Sequence, residues 1–193
     1  MREKMREKMR EWVFKMRGGI WTLLFIAILF MVRASDFETI ALSLFVVLLG
    51  QLWRCWSAGA IGLYRGENVK ALKLASKGPY ALMRNPLYFG NFVIGLGWSI
   101  IAGKIAVVVF AVSFYILYVV FIIPHEENFL RSKFGSEYEK YCERVKRFYP
   151  SKIQIRDIFS PVDWEIVKRS EIHTIISTII GTAIIIAVSL CYA

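Results

Sequence analysis

Apolar stretches alternate with polar, mostly basic segments along the whole chain. A helix needs about 20 mostly apolar residues to cross a bilayer, and charged residues at the ends of a shorter stretch can reach the interface by snorkelling. The pattern predicts an all-α integral membrane protein, a single membrane domain with five transmembrane helices. The expected spans lie at about residues 18–34, 37–56, 86–102, 105–123 and 171–192.

The segments outside the spans also have helical patterns. Met1–Glu11 repeats Met-Arg-Glu-Lys with a period of four, and residues 1–17 are predicted to form a charged amphipathic helix on the membrane surface. Beyond the fourth span, apolar residues at three- and four-residue spacing predict two short helices separated at Gly135, the second starting with a capping box of Ser136 and Glu139. Val32 is not followed by a small-residue cleavage site, so we expect the first span to be an uncleaved anchor.

Two polar stretches face each other in this prediction. Residues 76–90 lead into the third span, and residues 124–135 follow the fourth. Only Gly103-Lys104 separates these two spans, so they run antiparallel and side by side. Asn85-Pro86 predicts the start of the third helix, because Asn is a favoured N-cap and Pro suits the first turn.

Composition and charge narrow the class further. The chain is 56% hydrophobic with a mean hydropathy of +0.49, which excludes an ordinary soluble domain. The net charge is +10, but 23 of the 25 Lys and Arg residues fall in alternate segments between the spans. The positive-inside rule places the N-terminus and segments 54–86 and 124–171 in the cytoplasm. We therefore interpret the charge as topology and lipid contact, with no nucleic-acid partner.

The distribution of special residues excludes several chemistries. The 3 cysteines and 2 histidines are scattered, so no disulfide framework and no metal site are expected. The first two spans contain no predicted buried charge and are interpreted as scaffold. The centres of all five spans lack charged residues, which argues against an ion or proton pathway.

The two facing stretches carry complementary chemistry. The start of the third helix offers free N–H groups with Arg84 beside them, which suits an anion. The end of the fourth span carries Glu126 and Glu127, which suit a cation. Aromatic and imidazole side chains add flat surfaces and hydrogen-bonding tips. S-adenosylmethionine and a phospholipid headgroup both combine such charges, and we expect a small-molecule site rather than a purely lipid-facing belt.

These motifs resemble the isoprenylcysteine carboxyl methyltransferase family and its prokaryotic relatives over roughly residues 72–150. The resemblance rests on Gly78-Pro79-Tyr80, the segment 84–90, Glu126-Glu127, Phe134-Gly135, Tyr138, Tyr141, Val145 and the segment 147–150. It implies an integral-membrane methyltransferase with S-adenosylmethionine as cofactor, S-adenosylhomocysteine as product, and a catalytic region at 70–150.

The resemblance also implies site residues. Together with His125, which the physical reasoning adds, the expected cofactor-binding set is Leu72, Lys73, Leu74, Ala75, Tyr80, Asn85, Pro86, Leu87, Tyr88, His125, Glu126 and Glu127. The candidate catalytic residues are Glu126, Glu127 and Arg84. Asn85 stands where the family usually has histidine, and the arginine that eukaryotic enzymes carry before the acidic pair is absent from residues 121–124.

The expected substrate is lipidic, either a small molecule or a protein C-terminus such as an isoprenylcysteine carboxylate. A carboxylate nucleophile is already ionised at neutral pH, since its ordinary pKa is about 4, and needs no general base. An amine would need one, and Glu126, Glu127 or His125 lie nearest. Three alternatives stay open: a phospholipid amine methyltransferase, an NADPH-dependent enzyme like the sterol reductases, and a non-enzymatic lipid-binding subunit. The cofactor is expected to enter from the cytoplasm and the substrate from the bilayer.

Overall fold

The computed structural model describes residues 2–61, 73–149, 155–159 and 162–192, and the regular structure of these ranges is helical. Within these ranges the α-helices number nine: α1 (Arg2–Leu29), α2 (Phe37–Ile61), α3 (Pro79–Leu82), α4 (Pro86–Ala102), α5 (Lys104–Phe114), α6 (Ile123–Phe134), α7 (Ser136–Arg144), α8 (Ile155–Ile158) and α9 (Trp164–Cys191). A π-helical segment, Tyr115–Ile122, joins α5 to α6 without a break.

Four helices of the described chain are long and apolar enough to cross a membrane. They are Lys4–Leu29, Phe37–Ile61, the continuous helix Lys104–Phe134, and Trp164–Cys191. The fifth apolar helix, α4, is shorter at 17 residues, or about 25 Å. The prediction of an all-α membrane protein is confirmed at this level: four long apolar helices and one shorter one.

Several helix ends differ from the expected spans. The surface helix expected at 1–17 and the first span form one helix, which ends at Leu29 rather than near residue 34. α2 continues to Ile61, and α9 starts at Trp164, seven residues before the expected span. Polar caps explain the starts of α2 and α9: Asp36 accepts from the Thr39 N–H at 2.8 Å, and Asp163 accepts from the N–H groups of Glu165 and Ile166.

The helix break expected at Gly135 is present, but the helix that follows it is not capped as expected. Gly135 has φ of 52°, a left-handed value that favours glycine, and it ends α6. The predicted capping box is wrong. No side chain caps the start of α7, and the Glu139 carboxylate instead accepts a hydrogen bond from Arg131 at 2.6 Å.

α4 occupies the centre of the helical packing. It forms a hairpin with α5 through Gly103, where φ is 98°. It also packs closely against α2, where a Cβ on Gly97 would lie 2.6 Å from Cγ2 of Val47. An aromatic core that includes Phe110, Phe114 and Tyr118 joins this hairpin to α1 and α9. The hairpin therefore fixes residues at the start of α4 beside the end of the π-helical segment.

The expectation that the second span contains no buried charge is wrong. Arg54 in α2 is 4% exposed and pairs with Glu171 in α9, which is fully buried. Arg54 donates through Nε to Oε2 of Glu171 at 3.0 Å and through Nη2 to Oε1 at 3.1 Å. The pair lies about two turns inside the end of each helix. Gly90 lacks a Cβ that would strike the Arg54 side chain, and this space admits the arginine between α2 and α4.

Candidate functional site

The two polar stretches meet in the structure, as their spacing predicts. Gly78 adopts φ of 61° and donates its N–H to the Asp157 carbonyl at 2.7 Å, which positions Pro79 to begin α3. The Tyr141 hydroxyl donates to the Tyr80 carbonyl at 2.8 Å. The Arg84 N–H donates to the Lys146 carbonyl at 3.0 Å. The chain before α4 is therefore fastened to α7 and to the residues that follow it.

A buried carboxylate holds two arginines at the centre of this meeting point. Glu127 is 5% exposed, and its Oε1 lies 2.9 Å from an Arg84 guanidinium nitrogen. Its Oε2 accepts from Nη2 of Arg147 at 2.7 Å, and this hydrogen bond raises the pKa of Arg147. Glu127 thus stabilises and orients the two cations. Arg147 is absent from the expected site set, although it lies in the motif 147–150 that carries part of the resemblance.

The neighbouring glutamate has a different partner. The Tyr88 hydroxyl donates a hydrogen bond to Oε1 of Glu126. The His125 ring lies 5.2 Å from the ring of Phe14, so α1 also lines this region. Residues from α1, α4 and α6 therefore surround the acidic pair, and the expected set Tyr88, His125, Glu126 and Glu127 is clustered.

Three buried polar atoms in these stretches have no hydrogen-bond partner among the described residues. They are Nδ2 of Asn85, Nε of Arg84 and Nδ1 of His125. Asn85 is 8% exposed and occupies the N-cap position of α4, yet its side chain does not cap the helix. Leaving a buried donor unpaired costs about 1–3 kcal/mol. Such atoms at one end of a hairpin are available to a polar ligand.

The segment before α3 is only partly described. Leu72 lies outside the described residues. Leu74 is buried against Tyr138, Tyr141 and Val145, whereas Lys73 is exposed and Ala75 is half-buried. Burial raises the pKa of Tyr141 far above the usual tyrosine range, so its hydroxyl stays neutral and remains a donor.

The two remaining expected residues are at the start of α4. Pro86 is buried, and its carbonyl accepts from the Trp53 indole N–H at 3.1 Å. Leu87 is half-buried. Both positions are therefore fixed beside Asn85 and Tyr88, within the first turn of the helix.

A polar network behind the site was not expected from the sequence. Arg54 donates to Oδ1 of Asn91, and Nδ2 of Asn91 lies 3.5 Å from the Tyr118 hydroxyl, which also accepts from the Trp21 indole. The Tyr118 ring centre is 4.7 Å from that of Tyr88. The amino-acid sequence contained one signal for this network: two opposite charges, Arg54 and Glu171, at the edges of two apolar runs.

The long apolar helices and the polar cluster at one end of the α4–α5 hairpin define a helical membrane protein with a candidate ligand site. The family model described as phospholipid methyltransferase matches residues 37–137, just over half of the chain. The match runs from the start of α2 into α7 and includes the facing stretches. The chain belongs to the phospholipid methyltransferase family.

Curated relatives match shorter segments. Protein-S-isoprenylcysteine O-methyltransferase B of Arabidopsis thaliana is 33% identical over 79 residues, 40% of each chain. Cobalt-zinc-cadmium resistance protein CzcN of Cupriavidus metallidurans is 32% identical over 112 residues, 58% of this chain and 49% of that one. Delta(14)-sterol reductase LBR of Gallus gallus is 29% identical over 72 residues, 35% of this chain and 11% of that one. The chain thus spans about two fifths of the plant methyltransferase, and no solved structure matches.

Proposed function

We propose that this protein is an integral-membrane methyltransferase that uses S-adenosylmethionine to methylate the carboxylate of a lipidic substrate, such as a C-terminal isoprenylcysteine. The observation that carries the proposal is a pair of buried donors inside the family-matched segment, Nε of Arg84 and Nδ2 of Asn85, that have no hydrogen-bond partner among the described residues. The similarity to a plant isoprenylcysteine methyltransferase supports the choice of substrate.

The residues present fit the cofactor. Nδ2 of Asn85 and Nε of Arg84 are donors suited to a carboxylate, and the start of α4 adds its positive helix end. Tyr80 and Tyr88 offer aromatic surfaces for a base. Glu127, held by Arg84 and Arg147, acts in this proposal as the anchor that keeps Arg84 directed toward the ligand.

The reaction needs little acid–base chemistry from the chain. When bound, S-adenosylmethionine supplies a methyl group on a sulfonium, and S-adenosylhomocysteine is left as product. A substrate carboxylate is ionised at neutral pH, so the protein's contribution is to align the two groups and to exclude water. Glu126, hydrogen-bonded by Tyr88, helps to fix the pocket wall formed by α4.

The same proposal sets the topology. α4 is about 25 Å long, somewhat less than the bilayer core of about 30 Å, and Lys104 just beyond its end can snorkel. With α4 as a crossing, the chain has five transmembrane helices and a cytoplasmic N-terminus. The site then faces the cytoplasm, where the cofactor is available.

A second candidate has its own support. The family description names phospholipids, which favours N-methylation of a phospholipid amine at the same site. An amine must lose a proton before attack, and His125, Glu126 and Glu127 lie at the site. The similarity to a sterol reductase over 35% of the chain suggests NADPH chemistry as a third possibility.

Methyl transfer in vesicles separates these candidates. The purified protein is reconstituted, supplied with methyl-labelled S-adenosylmethionine, and offered either a farnesylated cysteine or phosphatidylethanolamine. The proposal expects label on the farnesylcysteine that base treatment releases, because esters are base-labile. Base-stable label on phosphatidylethanolamine would establish the amine reaction instead, and absence of transfer to both substrates would contradict carboxyl methylation of a prenylcysteine.

A further inference from the structure

A groove lies between the N-terminal half of α1 and the π-helical segment, apart from the polar cluster of the candidate site. The groove is shallow and half open, with a volume of about 320 Å³. The lining residues are Arg6, Met9, Arg10, Val120 and Phe121. Arg6 and Arg10 are four residues apart and therefore share a face of α1.

The apolar wall of this groove belongs to a surface that faces the membrane. Val120 is 42% exposed within the helix Lys104–Phe134, one of the candidate spans. Val112 and Ile116 are exposed on the same helix at four-residue intervals before it. The groove thus continues a lipid-facing stripe, with two arginines at one edge.

Among the described side chains, the positive charge at that edge is only weakly compensated. Arg10 approaches Oε1 of Glu7 at 3.7 Å, and the same oxygen accepts a hydrogen bond from Asn128 at 2.7 Å. Among the side chains that the structure describes, no acidic group forms an ion pair with Arg6 within 4.0 Å. A pair of guanidinium groups matches phosphate oxygens in geometry and charge.

We propose that this groove binds an anionic phospholipid, with its phosphate on Arg6 and Arg10 and an acyl chain along Val120 and Phe121. Basic pockets beside membrane helices on the cytoplasmic side suit such headgroups. The cationic edge of the groove is complementary to the anionic headgroup, and its apolar wall is complementary to the acyl chain. The site is independent of the proposed methyl transfer and would exist in a protein of this fold with any activity.

The test counts bound lipids by native mass spectrometry of the full-length protein in detergent. Phosphatidylglycerol and phosphatidylcholine with identical chains are titrated into the wild type, into Arg6→Gln/Arg10→Gln, and into Lys4→Gln/Lys8→Gln. The lysine variant is the matched control, because it removes the same charge from the same helix outside the groove.

The proposal expects phosphatidylglycerol to bind the wild type at least tenfold more tightly than phosphatidylcholine. The arginine variant should lose about thirtyfold in affinity for phosphatidylglycerol, because hydrogen bonds to the charged phosphate are removed, and the lysine variant less than twofold. Equal losses in both variants would show a diffuse surface charge and overturn the site. Inorganic phosphate binding as tightly as phosphatidylglycerol would show a simple anion site and would also overturn it.

Discussion

Asn85 has a buried amide nitrogen that is not hydrogen-bonded within the described part of the chain. Its side chain neither caps α4 nor finds a partner for Nδ2 among the described residues. Asn85→Ala should therefore leave the melting temperature of the ligand-free protein nearly unchanged. It should weaken S-adenosylhomocysteine binding by about ten- to a hundredfold, since a hydrogen bond to a charged group contributes about 1.5–3 kcal/mol.

The control for this prediction is Asn128→Ala. Asn128 lies on α6 close to the site, but its Nδ2 donates to Glu7. Calorimetry should give wild-type affinity for this variant. A loss of affinity in Asn128→Ala equal to that in Asn85→Ala would mean that Asn85 has no specific contact with the ligand.

Close packing of α2 against α4 rests on glycine. A Cβ at Gly97 would lie 2.6 Å from Cγ2 of Val47 and 3.0 Å from the Ser43 carbonyl oxygen. Gly97→Ala should destabilise the protein by about 1–3 kcal/mol, because overpacking forces the helices apart. Gly18→Ala in α1 meets nothing within 4 Å and should instead stabilise by about 0.5–1 kcal/mol. Unfolding in mixed micelles measures both, and equal effects of the two substitutions would contradict the packing argument.

The buried pair between α2 and α9 gives the second prediction for helix packing. Arg54→Met or Glu171→Met alone leaves an uncompensated buried charge and should destabilise by about 3–5 kcal/mol. The double variant removes both charges and should be more stable than either single variant. The exposed pair Arg131–Glu139 is the control, and its cycle should give at most about 1 kcal/mol. Additive losses for Arg54 and Glu171 would show that the two side chains do not stabilise each other.

The elements that sequence reasoning captured depend on local signals. Asn85-Pro86 begins α4, and Gly103 turns it into α5, because caps and tight turns are set by a few adjacent residues. The Arg54–Glu171 pair was not predicted, because 117 residues separate its members and each lies at the edge of an apolar run. The capping box at Ser136 failed since a tertiary partner, Arg131, takes the Glu139 carboxylate.

The same limit applies to the site. The meeting of the two polar stretches followed from the short hairpin turn. The ion pairs of Glu127 with Arg84 and Arg147 could not be predicted in this way, because both arginines lie outside the helix that carries the glutamate. An acidic pair alone suggested an open acceptor for a cation, whereas the structure shows Glu127 already paired.

Labelling of single cysteines from either side of the membrane can determine the topology of the whole molecule. The proposed five crossings with a cytoplasmic N-terminus would place the exposed Cys191, at the end of α9, on the opposite side of the membrane from α6 and α7. In Cys55→Ser/Cys142→Ser, an impermeant maleimide should label Cys191 only from the extracytoplasmic side. In a background with all three cysteines replaced, Lys133→Cys should be labelled only from the cytoplasmic side. Labelling of both positions from one side would show that α9 does not cross the membrane, and reversed labelling would show that α4 does not; either result would contradict five crossings.

The proposed function requires that the polar cluster at the α4–α5 hairpin binds S-adenosylmethionine. Calorimetric titration of the purified wild type with S-adenosylhomocysteine, and separately with NADPH, tests this binding. One equivalent of S-adenosylhomocysteine should bind, and NADPH should give no heat. Binding of NADPH without binding of S-adenosylhomocysteine would contradict the proposed function.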